Sequence, residues 1–246
     1  MIFKRSVFLI LLFLTFAGFL SCGIEEYYYL PQLPESNITR NLNTEAFIDI
    51  PPISDQYYYA GYYAIFYRIY TSNHLTTSAS EFSQISPSLT NDYNFFYPIT
   101  NPANTSSITL SNTFSSRNYF ELEYEGENSQ NFLPTSGGTV RIQFPTAQWG
   151  IPTASFNDGS QIPIIRSSRL ISPEPRDNFT FRNTPELRDS ANATSNINAD
   201  VASRTGTMQY AYVSMYIVAV GTNPVNFTQV YSKPTHISVF KLPDTY

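Results

Sequence analysis

Few residues in this chain of 246 have side chains suited to chemistry, and they are scattered. There is one cysteine, Cys22, and two histidines, His74 and His236. A zinc site needs clustered Cys and His, and these three lie far apart along the chain. A Ser-His-Asp triad assembles in space, so spacing alone does not dismiss one; a lone histidine in a strand-rich chain is nonetheless expected to serve packing or surface. The motifs G-x-S-x-G, G-x-G-x-x-G, H-E-x-x-H and the phosphate-binding loop are absent. No catalytic, cofactor-binding or metal-binding set is therefore assigned. Glu121, Glu123, Glu125 and Glu127 alternate, so on a strand they form one row of carboxylates. Such a row either takes a hard cation such as calcium or forms the charged face of an edge strand. Calcium loops draw on Asp and carbonyl ligands, which favours the edge strand. Tyrosine rings can stack on a sugar or anchor a partner, and Tyr57, Tyr58 and Tyr59 are the candidate ligand patch.

The setting of Cys22 is the most specific signal. Lys4 and Arg5 precede an apolar run from Val7 to Phe16, broken only by Thr15; Ala17, Gly18 and Ser21 then bring small residues up to the cysteine. That is the layout of a signal peptide over residues 1–21, and the run is short against the roughly 20 residues a membrane span needs. Leu20-Ser21-Cys22-Gly23 resembles the lipobox of bacterial lipoproteins. It departs from that pattern at Phe19, where the family usually has Leu. The resemblance implies a diacylglyceryl thioether on Cys22, cleavage before it, and fatty acylation such as palmitate on the new amino group. Membrane attachment would then run through acyl chains. One chain holds only marginally, whereas two or three on one residue make the attachment effectively permanent. An Asp after the cysteine would imply inner-membrane retention under the enterobacterial sorting rule; Gly23 stands there, so an outer-membrane destination is expected.

Losing Lys4 and Arg5 takes the formal charge from −5 to −7. An acidic body lacks the footprint that phosphate recognition needs, which excludes nucleic acid as the expected partner. With no second cysteine, no disulfide holds the fold, and apolar burial must do so. Charged residues make up 13% against 16% aromatic, a mixture that favours strands and loops over helices.

Residues 22–43 lack periodicity and carry Pro31 and Pro34, so they read as a lipidated tether ahead of a body over 44–246. Strands are expected at 46–50, 57–70, 119–124, 140–144, 162–165, 210–220, 230–232 and 236–242. The strand ending at Tyr70 is apolar on both faces and should be central and covered on both sides. Asn157-Asp158-Gly159 predicts a hairpin turn. One or two short helices fit the Ser/Thr/Asn-rich stretch after Thr71, one opening at Ser78–Glu81 and a second at Ser86-Pro87. Ser190 to Asp200 reads as a surface loop.

Gly61 to Arg68 resembles the third strand of a fibronectin type III domain, and Tyr212 to Gly221, with Ala219-Val220-Gly221, resembles its sixth. The resemblance implies a mainly β, Ig-like sandwich with a large insertion of strands and loops over about 71–207. Together with Glu25-Glu26-Tyr27-Tyr28-Tyr29-Leu30-Pro31, the chain looks like uncharacterised lipoproteins of treponeme-type spirochaetes. The expected function is a lipid-anchored envelope protein serving as a structural or ligand/protein-binding module, with a protein or a glycan as the partner class. The alternative is an envelope hydrolase that cuts glycans with a pair of carboxylates.

Overall fold

A computed structural model describes residues 30–41, 43–52, 59–76, 82–100, 114–124, 133, 136–166, 180–188, 198–202, 206–222, 227 and 229–244. The fold is mainly β, with two antiparallel sheets. Strands β1 (Ile38–Asn41), β2 (Glu45–Ile50), β6 (Gly138–Gln143), β7 (Thr153–Ser155), β8 (Gln161–Ile165) and β5 (Glu123–Tyr124) form the first sheet in the order β1-β2-β6-β7-β8-β5. The second contains β4 (Phe120–Glu121), β3 (Tyr59–Ser72) and β9 (Tyr210–Thr222), with β10 (Gln229–Tyr231) and β11 (Thr235–Lys241) both paired to the far edge of β9. The described residues also contain helices α1 (Phe82–Ile85), α2 (Pro87–Thr100) and α3 (Pro185–Arg188).

The pair β3–β9 is the spine. Its register runs from Tyr62 opposite Val220 to Ser72 opposite Tyr210. Alternation sends Tyr63, Ile65, Tyr67 and Ile69, with Val213, Met215, Ile217 and Ala219, into the main core. There they meet Ile48, Val140, Ile142 and Ile164 of the first sheet. The opposite face carries Ala64, Phe66, Tyr216, Val218 and Val220, packed under Phe96 of α2 and against Phe114 and Tyr119. Farther along, Tyr70, Tyr212 and Val239 pack on Ile85 and Leu89. The expected two-sided burial of this strand is thus realised, with helices covering the outer face.

Helix α2 begins where Ser86-Pro87 predicts. Pro87 occupies the first helical position, where its missing N–H costs nothing, and the Ser86 hydroxyl accepts the Ser88 N–H (3.2 Å). It runs for 14 residues, longer than the short helix expected. The opening at Ser78–Glu81 lies outside the described residues. Thr184-Pro185 starts α3 the same way, with the Thr184 hydroxyl accepting the Leu187 N–H (3.2 Å).

Both sides of the sandwich are closed. On one, residues 120–124 switch sheets: Phe120 and Glu121 pair with Tyr67 and Phe66, the Leu122 N–H reaches the Ile65 carbonyl (2.7 Å), and Glu123 and Tyr124 pair with Ile165 and Ile164. On the other, Arg40 of β1 donates to the carbonyls of His236 and Ile237 (both 2.7 Å), where the β11–β9 register shifts. The predicted hairpin forms between β7 and β8. Gly159 takes φ 81°, a conformation that glycine adopts freely, and its N–H donates to the Phe156 carbonyl (2.9 Å).

Two expectations need correction. Residues 30–41, read as tether, are folded into the body: Leu30 and Leu33 are buried in the main core, and β1 pairs with β2. Their apolar side chains gain more from the core than from water. The stretch 71–207, read as an insertion, supplies β5 to β8 of the first sheet and the helices over the second. It builds the sandwich itself.

The strand directions give the body two distinct ends. The chain enters at the Thr235 end of β11, where Gln32 donates to the Pro234 carbonyl (3.0 Å) and Thr235 donates to the Leu33 carbonyl (2.5 Å). Thr222, Tyr59 and the β9–β10 turn share that end. Residues 72–76, 208–212 and 241–244 lie at the other. The seven residues of β11 put the two roughly 23 Å apart.

Without a disulfide, Ile65 and Ile217, buried opposite each other on the spine, should dominate stability. Ile65→Ala or Ile217→Ala is expected to lower unfolding free energy by about 2–5 kcal/mol in denaturant melts. Thr39→Ala on the exposed side of β1 should stay within about 0.5 kcal/mol. Equal effects at all three positions would misplace the core.

Candidate functional site

Of the residues singled out in the sequence, Cys22, Tyr57, Tyr58, Glu125 and Glu127 lie outside the described residues. Tyr59 starts β3 and pairs with Thr222 at the chain-entry end. Glu121 and Glu123 fall on two different edge strands, β4 and β5, with buried Leu122 and Tyr124 on the opposite side. This is the location expected for charges that discourage edge pairing. Among the described residues, no group of three or more His, Cys, Asp or Glu gathers as a cation site.

The two histidines stand apart. His74 lies beyond the end of β3, its carbonyl accepting the Tyr212 hydroxyl (2.9 Å). His236 pairs with Tyr216, four residues farther along β9. Its Nε2 lies 3.3 Å from Ser214 Oγ, and its ring packs on Tyr93 of α2 (5.5 Å) and Tyr216 (4.9 Å). Burial, with Arg40 adding to it, holds the imidazole at a pKa of about 3, so the ring is neutral.

His236 and Ser214 begin a polar chain that sequence reasoning missed. Ser214 hydrogen-bonds the Tyr119 hydroxyl, which lies 2.8 Å from the Tyr70 hydroxyl. Tyr70 donates to Asp92 Oδ2 (2.6 Å), so Tyr119 donates to Tyr70. Asp92, on α2, also accepts from Arg68 (2.6 Å) and Arg117 (3.0 Å). Desolvation, reinforced by the Asp92 charge, raises the pKa of both Tyr70 and Tyr119. Serine, histidine and aspartate occur here in one network, but Tyr70, Tyr119 and Ser214 itself separate the acid from the histidine, and Ser214, Tyr70 and Asp92 are buried. The network is a latch that pins α2 to the sheet. Its sequence signal was Asp92 at a position that α2 turns toward the apolar sheet.

A second buried ion pair joins Arg166, just past β8, to Asp200, with Asn198 and Tyr67 completing the hydrogen bonds. Asn198 and Asp200 belong to the polar run expected at the surface. The run turns inward because the Ile69 N–H donates to the Asp200 carbonyl (2.9 Å) and the Ala202 N–H donates to the Ile69 carbonyl (2.8 Å).

Surface features that can meet a ligand lie at the end remote from chain entry. A groove of about 710 Å³ is walled by Ser72, Asn73, His74, Ser83, Gln84 and Ser88, among others. Hydroxyl and amide groups dominate its polar lining, and none of its described lining residues carries a carboxylate. At the same end, Trp149 on the turn between β6 and β7 is 54% exposed, and Ile151 is 50% exposed. The Arg182 guanidinium lies 5.9 Å from the indole centroid. At the opposite end, Phe227 in the β9–β10 turn is 80% exposed.

Removing the latch acid leaves Arg68 buried without its counter-charge. Asp92→Ala should therefore cost about 3–5 kcal/mol in denaturant melts, and Asp92→Asn less. The pH response of His236 has a definite sign. The unfolded imidazole takes up a proton near pH 6.5, whereas the folded one resists until about 3. Its contribution is complete above pH 6.5 and is lost as pH falls toward 3. Between pH 6.5 and 4.5, where carboxylates contribute least, the slope should approach about 1.4 kcal/mol per unit. His236→Gln should flatten it; an unchanged slope in the variant would place the response elsewhere.

Comparison of the whole chain with protein-family models, with curated proteins and with solved structures found no match. The likeness to fibronectin type III domains is therefore carried by the two strand segments alone.

Proposed function

We propose that this chain is a lipid-anchored protein of a bacterial envelope, of the kind met in treponeme-type spirochaetes, whose sandwich acts as a binding module. The observation that carries the reading is the chain's only cysteine, standing where an apolar leader ends in small residues. The two-ended body supports it. Only seven residues separate Cys22 from Leu30, where the body begins, so the entry end faces the acyl chains. Phe227 stands exposed at that end, and the groove and Trp149 lie at the other, where a ligand approaching from the aqueous side would arrive. Among the described residues no helix is long and apolar enough to cross a membrane. The acyl anchor and an outer-membrane destination are parts of this proposal.

A glycan hydrolase would need two carboxylates flanking the scissile bond. The described lining of the groove offers none, so binding is the reading we carry.

Intact-mass measurement of the mature protein should give a lipid-modified Cys22 as its first residue. Cys22→Ala should lack the modification and move from the membrane to the soluble fraction. A mature N-terminus at any other residue would sink the anchor.

A further inference from the structure

The turn between β6 and β7 displays its tryptophan at a conformational cost. Trp149 takes φ 63°, a left-handed conformation that bulky side chains rarely adopt. The turn is held rigidly. The Trp149 N–H reaches the Asp244 carbonyl (3.4 Å), and the Gly150 N–H donates to the Ala147 carbonyl (3.1 Å). Any Cβ at Gly150 would come within 2.3 Å of Pro145 Cγ, so the backbone here leaves no room for another residue. Strain and exposure coincide at a large aromatic side chain, with Ile151 exposed beside it.

The neighbouring charges divide unevenly. Asp244 is already engaged by Lys241 (2.7 Å) and by the Asn183 amide (2.7 Å), and these partners hold its carboxyl below the usual range against the opposing effect of desolvation. Arg182 has no carboxylate partner among the described residues, and its Nε is buried without a hydrogen bond there. The Arg182 guanidinium lies over one face of an indole that is 54% exposed, and a guanidinium without a carboxylate partner among the described residues suits a ligand with a ring to stack and an acid to pair. Hydrogen bonds link this turn to the groove at the same end, where Ile85, Pro87, Ala202 and Met208 supply apolar lining beside hydroxyl and amide groups. Asn183, next to Arg182, donates to the Gln209 carbonyl (3.1 Å); the Gln209 N–H donates to the Ser72 carbonyl (3.1 Å); and Ser72 lines the groove. Neutral hydroxyl and amide groups in the groove suit sugar hydroxyls.

From this geometry we propose that the end of the sandwich remote from chain entry binds an acidic saccharide: Trp149 stacks on a sugar ring, Arg182 pairs with its carboxylate, and the Ser72 groove receives the adjoining residues. The proposal names a ligand class for the binding role proposed above and rests on that reading, without depending on the acyl anchor.

Trp149 is the only tryptophan in the chain, so tryptophan emission, excited selectively over the 19 tyrosines, reports on this site alone. The mature protein in detergent is titrated with tetragalacturonate, with cellotetraose as the neutral control and tetraglutamate as the acidic peptide control. The expected result is a saturable change in emission with tetragalacturonate only. Arg182→Gln should weaken it at least about tenfold, the scale of one lost charge-assisted contact. Trp149→Ala should abolish binding by calorimetry while the far-ultraviolet circular dichroism stays that of the parent. If that variant fails to fold, Arg182→Gln and Ile151→Ala decide. Equal responses to the acidic and neutral saccharides overturn the role of Arg182. A response to tetraglutamate alone overturns the saccharide class and leaves the binding role standing. Silence to all three probes overturns the site, whatever the mass and fractionation of Cys22→Ala show about the anchor.

Discussion

The antiparallel pairing of β3 with β9 is the constraint on which the rest depends. Each strand is apolar on both faces, so the pair must be buried from two sides. One side is met by the first sheet. The other is met by α1, α2 and the segment around Phe114 and Tyr119, which stacks Phe114 on Phe66 with centroids 4.3 Å apart. A one-residue slip would exchange the two faces and send Arg68 and Ser214 into the main core in place of Ile69 and Val213. Register and layering are thus one decision.

Covering a sheet with a helix also brings polar groups inside, and the structure manages them by pairing. Arg68 and Tyr70 lie on the face under α2, and Asp92 meets both. Arg166 reaches the interior at the end of β8 and meets Asp200. A buried pair of this kind adds little net stability over an apolar substitute, but breaking it is severe. We read both pairs as devices that specify where α2 and the 198–202 segment dock. They carry this specificity in a chain that has no disulfide to do so.

The body is polar from end to end in a geometric sense. Hydrogen bonds from Gln32 and Thr235 tie the incoming chain to the start of β11. The groove and the strained Trp149 turn lie past the other end of the same strand. Under the proposed anchoring, one end would face lipid and the other the aqueous space. The ring of Trp149 lies outside the core, under the Arg182 guanidinium, on a backbone of positive φ.

Local pattern alone raised the expectation of a leader ending at its cysteine, and it determined the two long strands and their inward faces, the 157–159 hairpin and the start of α2 at Ser86-Pro87. Each of these depends on short-range rules: charge and apolar length, period-two alternation, a glycine in a turn, a proline in a first helical turn. Tertiary structure decided what depends on distant partners. Residues 30–41 look like tether until Leu30 and Leu33 meet a core built by strands far along the chain. The 198–200 run looks solvent-exposed until Asp200 finds Arg166 and Ile69. Trp149 carries no motif; its importance comes from a turn closed on Asp244 and from Arg182, both brought beside it only by the fold. A side chain's type shows which contacts it can make, and only the folded chain determines which partner is there to make them.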